Sequence, residues 1–116
     1  VRRWSERERL DENARAQGEF LKVGLQRIAD ENPEVVSTVR GLGLMLGFEL
    51  TPNIATLGGD PTKSQAVRFL HLLHEAGLLA IPAGTQVIRL LPALNLRRID
   101  AEEGLQIIES VVKRLA

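Results

Sequence analysis

Arg89 is the residue whose type and setting most plainly ask for chemistry. It stands in the middle of Gln86-Val87-Ile88-Arg89-Leu90-Leu91-Pro92, an apolar run led by β-branched residues whose length predicts a strand with little solvent on either face. A guanidinium stays charged at any accessible pH, so in a dry setting it must be paired and hydrogen-bonded or it is strongly destabilising. Its partner is a protein carboxylate or a ligand. A planar fork that grips a carboxylate or phosphate through two parallel hydrogen bonds is what Arg supplies and Lys does not. The structural alternative is an edge-strand Arg that lays its stem on apolar surface and sends its head to water, or pairs with Glu49.

The other chemistry-bearing residues form weaker patterns. His71 and His74 are the only histidines; three apart on a helical stretch, they share a face but have no third ligand near them, so they read as surface or half-buried side chains and no metal site is expected. Gly58-Gly59 is no phosphate cradle, because no Lys-Ser/Thr follows at the required spacing despite Lys63-Ser64 nearby. Arg40 precedes a turn and reads as an exposed turn arginine, and Glu49 as a sheet-face carboxylate paired with a neighbouring base. With no Cys in the chain, disulfides, thiolate metal sites and a Cys nucleophile are excluded, which fits a reducing compartment.

Elements that position these residues follow from periodicity. Ser5-Glu6-Arg7-Glu8 is a capping box, and Leu10, Ala14, Leu21, Leu25 and Ile28 recur at helical spacing with Gly18 on the same stripe, predicting a long amphipathic helix that ends near Asn32-Pro33. Val35 to Val39 and Leu44 to Leu50 are β-like runs around Arg40-Gly41-Leu42-Gly43, which predicts a hairpin turning there. Gly47 inside the second run marks a bulge or a close backbone approach. Thr51 to Pro61 has loop composition. Thr62, boxed with Gln65, caps a second helix with Ala66, Phe69, Leu70, Leu73 and Ala76 inward, and Gly77 stops it. Leu78 to Ile81 and Val87 to Leu91 form a second hairpin around Pro82-Ala83-Gly84-Thr85, and Asp100-Ala101-Glu102-Glu103 caps a last helix with Leu105, Ile108, Val112 and Leu115 inward. The order α-β-β-α-β-β-α predicts an α+β two-layer domain, a small antiparallel sheet with helices on one face.

At 116 residues the chain is one domain by size, residues 1–116. Its 15 basic residues balance 15 acidic ones, which gives no electrostatic pull toward nucleic acid or an anionic membrane. No run approaches the length of a membrane span, and a cytoplasmic location is expected. A chain that opens on Val1 and enters a charged helix almost at once reads as a fragment of a longer protein.

Three ordered motifs carry a resemblance: Val39-Arg40-Gly41-Leu42-Gly43-Leu44-Met45-Leu46-Gly47-Phe48-Glu49-Leu50, then Ala76-Gly77-Leu78-Leu79, then Val87-Ile88-Arg89-Leu90-Leu91-Pro92-Ala93-Leu94. In this order and spacing they resemble the C-terminal small domain of class III pyridoxal-phosphate aminotransferases, most closely the acetylornithine and ornithine branch. The resemblance covers nearly the whole chain, with Asn53 to Pro61 its weakest part, and Ala93 stands where family members often have a second proline. It implies that Arg89 binds a substrate carboxylate, and that the whole enzyme uses pyridoxal 5'-phosphate, acts on an amino acid such as N-acetylornithine or ornithine with a 2-oxo acid as acceptor, and is a homodimer. The Schiff-base lysine of the family lies in its large domain; Lys22, Lys63 and Lys113, expected on helices, are in no matching context, so this chain alone is expected to be inactive and to have no cofactor-binding or catalytic residue. A free-standing amino-acid-binding regulatory module and a subunit-contact domain without a ligand are the rival expectations.

Overall fold

In the computed structural model, which describes residues 5–42, 45–78, 80–90 and 95–116, the chain runs α1 (Glu6–Glu31), β1 (Val36–Leu42), β2 (Met45–Leu50), α2 (Gln65–Glu75), β3 (Ala80–Pro82), β4 (Val87–Leu90) and α3 (Arg98–Leu115). This is the expected α+β order. The strands form one antiparallel sheet in the order β1-β2-β4-β3.

Ser5 starts α1 as its type predicts: Oγ accepts the Glu8 N–H at 3.1 Å, one of the four donors a helix N-terminus leaves unsatisfied. Asn32 ends the helix before Pro33, its buried side chain donating from Nδ2 to the Ile28 carbonyl at 3.0 Å. Gly18 is buried on the inward stripe, but the tightest helix contact shown is one turn and a half further on. A Cβ at Gly24 would lie 2.4 Å from Leu105 Cδ1, so the missing side chain lets α3 close on α1.

Two helix starts differ from expectation. Ser64, not Thr62, caps α2, its Oγ accepting the Val67 N–H at 3.3 Å. Thr62 instead donates from both N–H and hydroxyl to Asp60 Oδ1, at 2.9 and 2.7 Å, a local turn that competes with helix initiation. Helix α3 begins at Arg98, ahead of the expected Asp100 cap, because Arg97 holds the Asp100 carboxylate with Nε at 2.9 Å and Nη2 at 3.1 Å while its own N–H donates to the same group at 3.3 Å. An arginine serves there as the cap residue.

The hairpin also turns later than predicted. Strand pairing continues through Arg40↔Gly47, Gly41↔Leu46 and Leu42↔Met45, so Arg40 and Gly41 are strand residues; Gly43, the other expected turn glycine, lies outside the described residues. Between Val36 and Thr38 the register slips by one, leaving Ser37 as the bulge, and its hydroxyl donates to the Glu49 carbonyl at 3.2 Å. Strand β3 covers Ala80–Pro82 where 78–81 was expected. Pro82 is accommodated because β3 is an edge strand.

One face of the sheet carries Val39, Leu46, Phe48, Leu50, Ile88 and Leu90 into a core with Leu25, Ile28, Phe69, Leu73, Ile108 and Val112 from the three helices. Phe48 and Phe69 meet edge to face, with centroids 5.7 Å apart. The opposite face carries Thr38, Arg40, Gly47, Glu49, Val87 and Arg89, none of them buried. The expectation that β4 is dry on both faces is therefore corrected: it alternates, Ile88 and Leu90 in and Arg89 exposed, because the core shared with the helices lies on a single face. Among the described residues, no helix is long and apolar enough to cross a membrane.

Candidate functional site

Strand β4 is pinned at its entrance by α2 and beyond its exit by α1. At the entrance, the Ala66 N–H donates to the Thr85 carbonyl at 3.0 Å and the Leu50 N–H to the Gln86 carbonyl at 2.7 Å. The buried Gln65 side chain donates to the Thr51 carbonyl at 2.9 Å and to Gln86 Oε1 at 2.6 Å, and accepts the Ile54 N–H at 2.6 Å. Gln65 is thus a three-way tether of loop, helix and strand, not the box partner of Thr62. Beyond the exit, Asn13 Nδ2 donates to the Leu96 carbonyl at 2.9 Å, and Arg98 donates from Nε to Gln17 Oε1 at 3.0 Å while lying 4.0 Å above the Phe20 ring. A residue on β4 is consequently held on a rigid frame.

Arg89 occupies the third position of β4, with β2 on one side and β3 on the other, opposite Gly47 and Ile81. It is not on an edge. Nor is it paired with Glu49: among the described residues the Arg89 side chain has neither an ion pair nor a hydrogen bond. Among the described residues its guanidinium is unpaired, and exposure of the strand face removes the desolvation cost that a buried, unpaired arginine would carry.

The register adds Arg40, which sequence reasoning had placed on a turn. Arg40 pairs with Gly47 from the β1 side as Arg89 does from the β4 side, so both arginines stand on the same face with Gly47 between them. A Cβ at Gly47 would lie 2.8 Å from the Ile88 carbonyl oxygen; this is the close backbone approach expected of that glycine. Together Arg40, Gly47, Glu49, Ala83, Val87 and Arg89 line an open groove of about 250 Å³. Alternation could have found Arg40: with Leu46 and Phe48 inward, Gly47 faces out, and any residue paired directly with Gly47 must face out with it.

The remaining candidates lie elsewhere. His71 is exposed, and His74 Nε2 sits 3.2 Å from the Ala80 carbonyl oxygen, an acceptor, so that nitrogen bears the proton and ties α2 to β3. Lys22 and Lys113 are exposed on α1 and α3, Lys113 3.7 Å from Glu109, while Lys63 is in the loop before α2 and not on a helix as expected. None of the three lines the groove.

The family model for class III aminotransferases matches residues 3–112. An acetylornithine aminotransferase of Gloeobacter violaceus is 39% identical over 110 residues, which is 95% of this chain and 25% of that protein. One from Mesorhizobium japonicum is 42% identical over 98 residues, 84% of this chain and 21% of that protein. Among solved structures, an ornithine aminotransferase from Plasmodium yoelii superposes with a TM-score of 0.79 at 26% identity, covering 95% of this chain and 26% of that one. An N-acetylornithine aminotransferase from Stenotrophomonas maltophilia gives 0.74 at 32% identity, covering 91% and 27%. The chain therefore spans about a quarter of the length of these relatives.

Proposed function

The chain belongs to the class III aminotransferase family, and from that premise we propose that it is the C-terminal, substrate-carboxylate-binding small domain of an enzyme that moves an amino group from an amino acid such as N-acetylornithine or ornithine to a 2-oxo acid. The observation that carries the role of this part is Arg89, a charged fork without a protein partner among the described residues, held on a central strand and facing a groove. A carboxylate accepts two parallel hydrogen bonds from such a fork, which fixes its plane and with it the direction of the rest of the substrate. Orientation of this kind is a large part of what a two-substrate enzyme contributes to rate.

Pyridoxal 5'-phosphate is the cofactor under this reading, and the described residues do not supply its attachment. All three lysines are exposed and none lines the groove, which supports a reading in which the rest of the protein holds the cofactor. What this chain contributes is binding and direction.

The test is Arg89→Ala in the intact protein, assayed for amino transfer from N-acetylornithine beside the cofactor's absorption spectrum. The expected result is a loss in kcat/KM with the spectrum unchanged. Wild-type kcat/KM in the variant removes Arg89 from the site, and absence of any transferase activity in the wild type removes the reaction itself.

A further inference from the structure

Helix α2 bonds to the β3–β4 hairpin at two places, one on each side of Arg89. In its first turn the Ala66 N–H donates to the Thr85 carbonyl at 3.0 Å, and the Gln65 side chain donates from Nε2 to Gln86 Oε1 at 2.6 Å. In its last turn His74 Nε2 lies 3.2 Å from the Ala80 carbonyl oxygen, and Ala80 is paired with Leu90, the residue after Arg89. The anchor at Gln65 is itself fixed: its buried amide also donates to the Thr51 carbonyl at 2.9 Å and accepts the Ile54 N–H at 2.6 Å. Arg89 has no side-chain bond among the described residues, so the backbone of β4 alone sets where its fork begins.

From this arrangement we propose that Gln86 is a positioning residue for the substrate carboxylate: bonded to Gln65, it sets the place of β4, and with it the Arg89 fork, without touching the substrate. Strand β4 is four residues long, and Val87, Ile88 and Arg89 are its residues paired with β2. A ladder this short holds few bonds against tilt or slide, and each contributes modestly, so one more at the entrance counts. Gln86 stands three residues before Arg89, about 10 Å along an extended strand. A shift there travels down the strand to the fork, and misplacement by about 1 Å can cost a reaction about a hundredfold. The chemistry of the pair is directional. Ile54 takes the Gln65 oxygen, and Gln65 has one amide hydrogen left beyond the one given to Thr51, so residue 86 must present an acceptor. This proposal rests on reading Arg89 as a carboxylate fork.

The experiment is a double-mutant cycle in the intact protein, assayed for amino transfer from N-acetylornithine beside the cofactor's absorption spectrum and the unfolding midpoint. Gln86→Met removes the acceptor and is expected to lower kcat/KM about tenfold, mostly in kcat, with the spectrum unchanged. Gln86→Glu keeps an acceptor and should retain most of the activity; if Gln86→Met does not fold, Gln86→Asn, whose amide falls one methylene short, is measured in its place. Combined with Arg89→Ala, the substitution at Gln86 should lower kcat/KM by less than about twofold beyond Arg89→Ala alone, because a positioning residue has nothing to act on once the fork is gone. Three results overturn the proposal: wild-type kcat/KM in the Gln86→Met protein, a Gln86→Glu loss as large as that of Met, or losses at Gln86 and Arg89 that multiply in full. A lowered unfolding midpoint with kinetics intact is the first of these and marks Gln86 as structural only. Arg89→Ala by itself separates the two readings: if it lowers kcat/KM while Gln86→Met does not, the fork stands and only the role of Gln86 fails, whereas wild-type activity in Arg89→Ala removes the fork and this proposal with it.

Discussion

Gly47 and Ile88 sit so close across the β2–β4 ladder that a Cβ on the first would be 2.8 Å from the carbonyl oxygen of the second. The obstacle is backbone, which has no rotamer to escape into, so Gly47→Ala must push β4 away from β2. An overpacked contact of this kind costs about 1 to 3 kcal/mol. Urea unfolding is expected to show that loss in the midpoint with an unchanged slope. Because Arg89 is directly opposite Gly47, amide shifts of Ile88, Arg89 and Leu90 should move as well; shifts confined to β2 would mean that the ladder absorbs the methyl without moving the fork.

Gln65 offers a second test of how β4 is held. Its side chain satisfies the Ile54 N–H and links the Thr51 carbonyl to the Gln86 side chain, all from a position only 7% exposed. Gln65→Ala strands a buried donor, and the expected cost is about 2 to 3 kcal/mol. Gln65→Glu keeps the acceptor for Ile54 but loses both donated bonds, so it should fall between wild type and Ala in chemical denaturation. Equal stability of all three proteins would show that water replaces the network freely.

The legible part of this fold was the part written in period. Helical spacing placed α1 through Leu21, Leu25 and Ile28, and the apolar runs placed all four strands within a few residues. What escaped was decided by competition between local groups. Thr62 has the right chemistry for a cap, but Asp60 two residues earlier takes its hydroxyl and its N–H, and Ser64 caps instead. Arg97 is no usual cap residue, yet its bond to Asp100 starts α3 early. At the site, Arg89 was singled out by its type and surroundings, but its dryness was overread: an apolar run cannot say whether helices cover one face of a sheet or both. Arg40 was missed because its neighbouring glycines read as a turn, and only the register with Gly47 places it beside the groove.

The Asp100 carboxyl is held below the usual carboxylate range, chiefly by the hydrogen bond from the Arg97 side chain. A depressed acid stabilises the fold above its unfolded value, near 3.9, and that contribution disappears as pH falls through the lower folded value. The first turn of α3 should therefore loosen only in strong acid. Carbon-detected titration of the Asp100 carboxyl is the measurement, and Arg97→Ala should return its midpoint toward the ordinary value. A midpoint that does not move in the variant would show that the helix N-terminus, not Arg97, holds the carboxylate charged.

Arg89→Lys separates charge from geometry. Lysine keeps the cation on β4 but presents a single, strongly hydrated ammonium in place of a planar fork, so the carboxylate is attracted without being oriented. In the intact protein kcat/KM is expected to fall by about tenfold to a hundredfold, with the larger share in kcat if orientation is what the fork supplies. The size of the Arg89→Ala loss carries a further reading. In this chain the face that bears Arg89 is open, and an exposed ion pair is worth under about 1 kcal/mol, whereas leaving a carboxylate unpaired in a dry site costs about 2 to 5 kcal/mol. A loss in the higher range means that the rest of the protein, or the substrate itself, covers the groove during turnover. A loss in the lower range, with Lys equal to Arg, means that the groove stays wet and that Arg89 steers the substrate by charge alone; raising the ionic strength should then erase the difference between wild type and Ala.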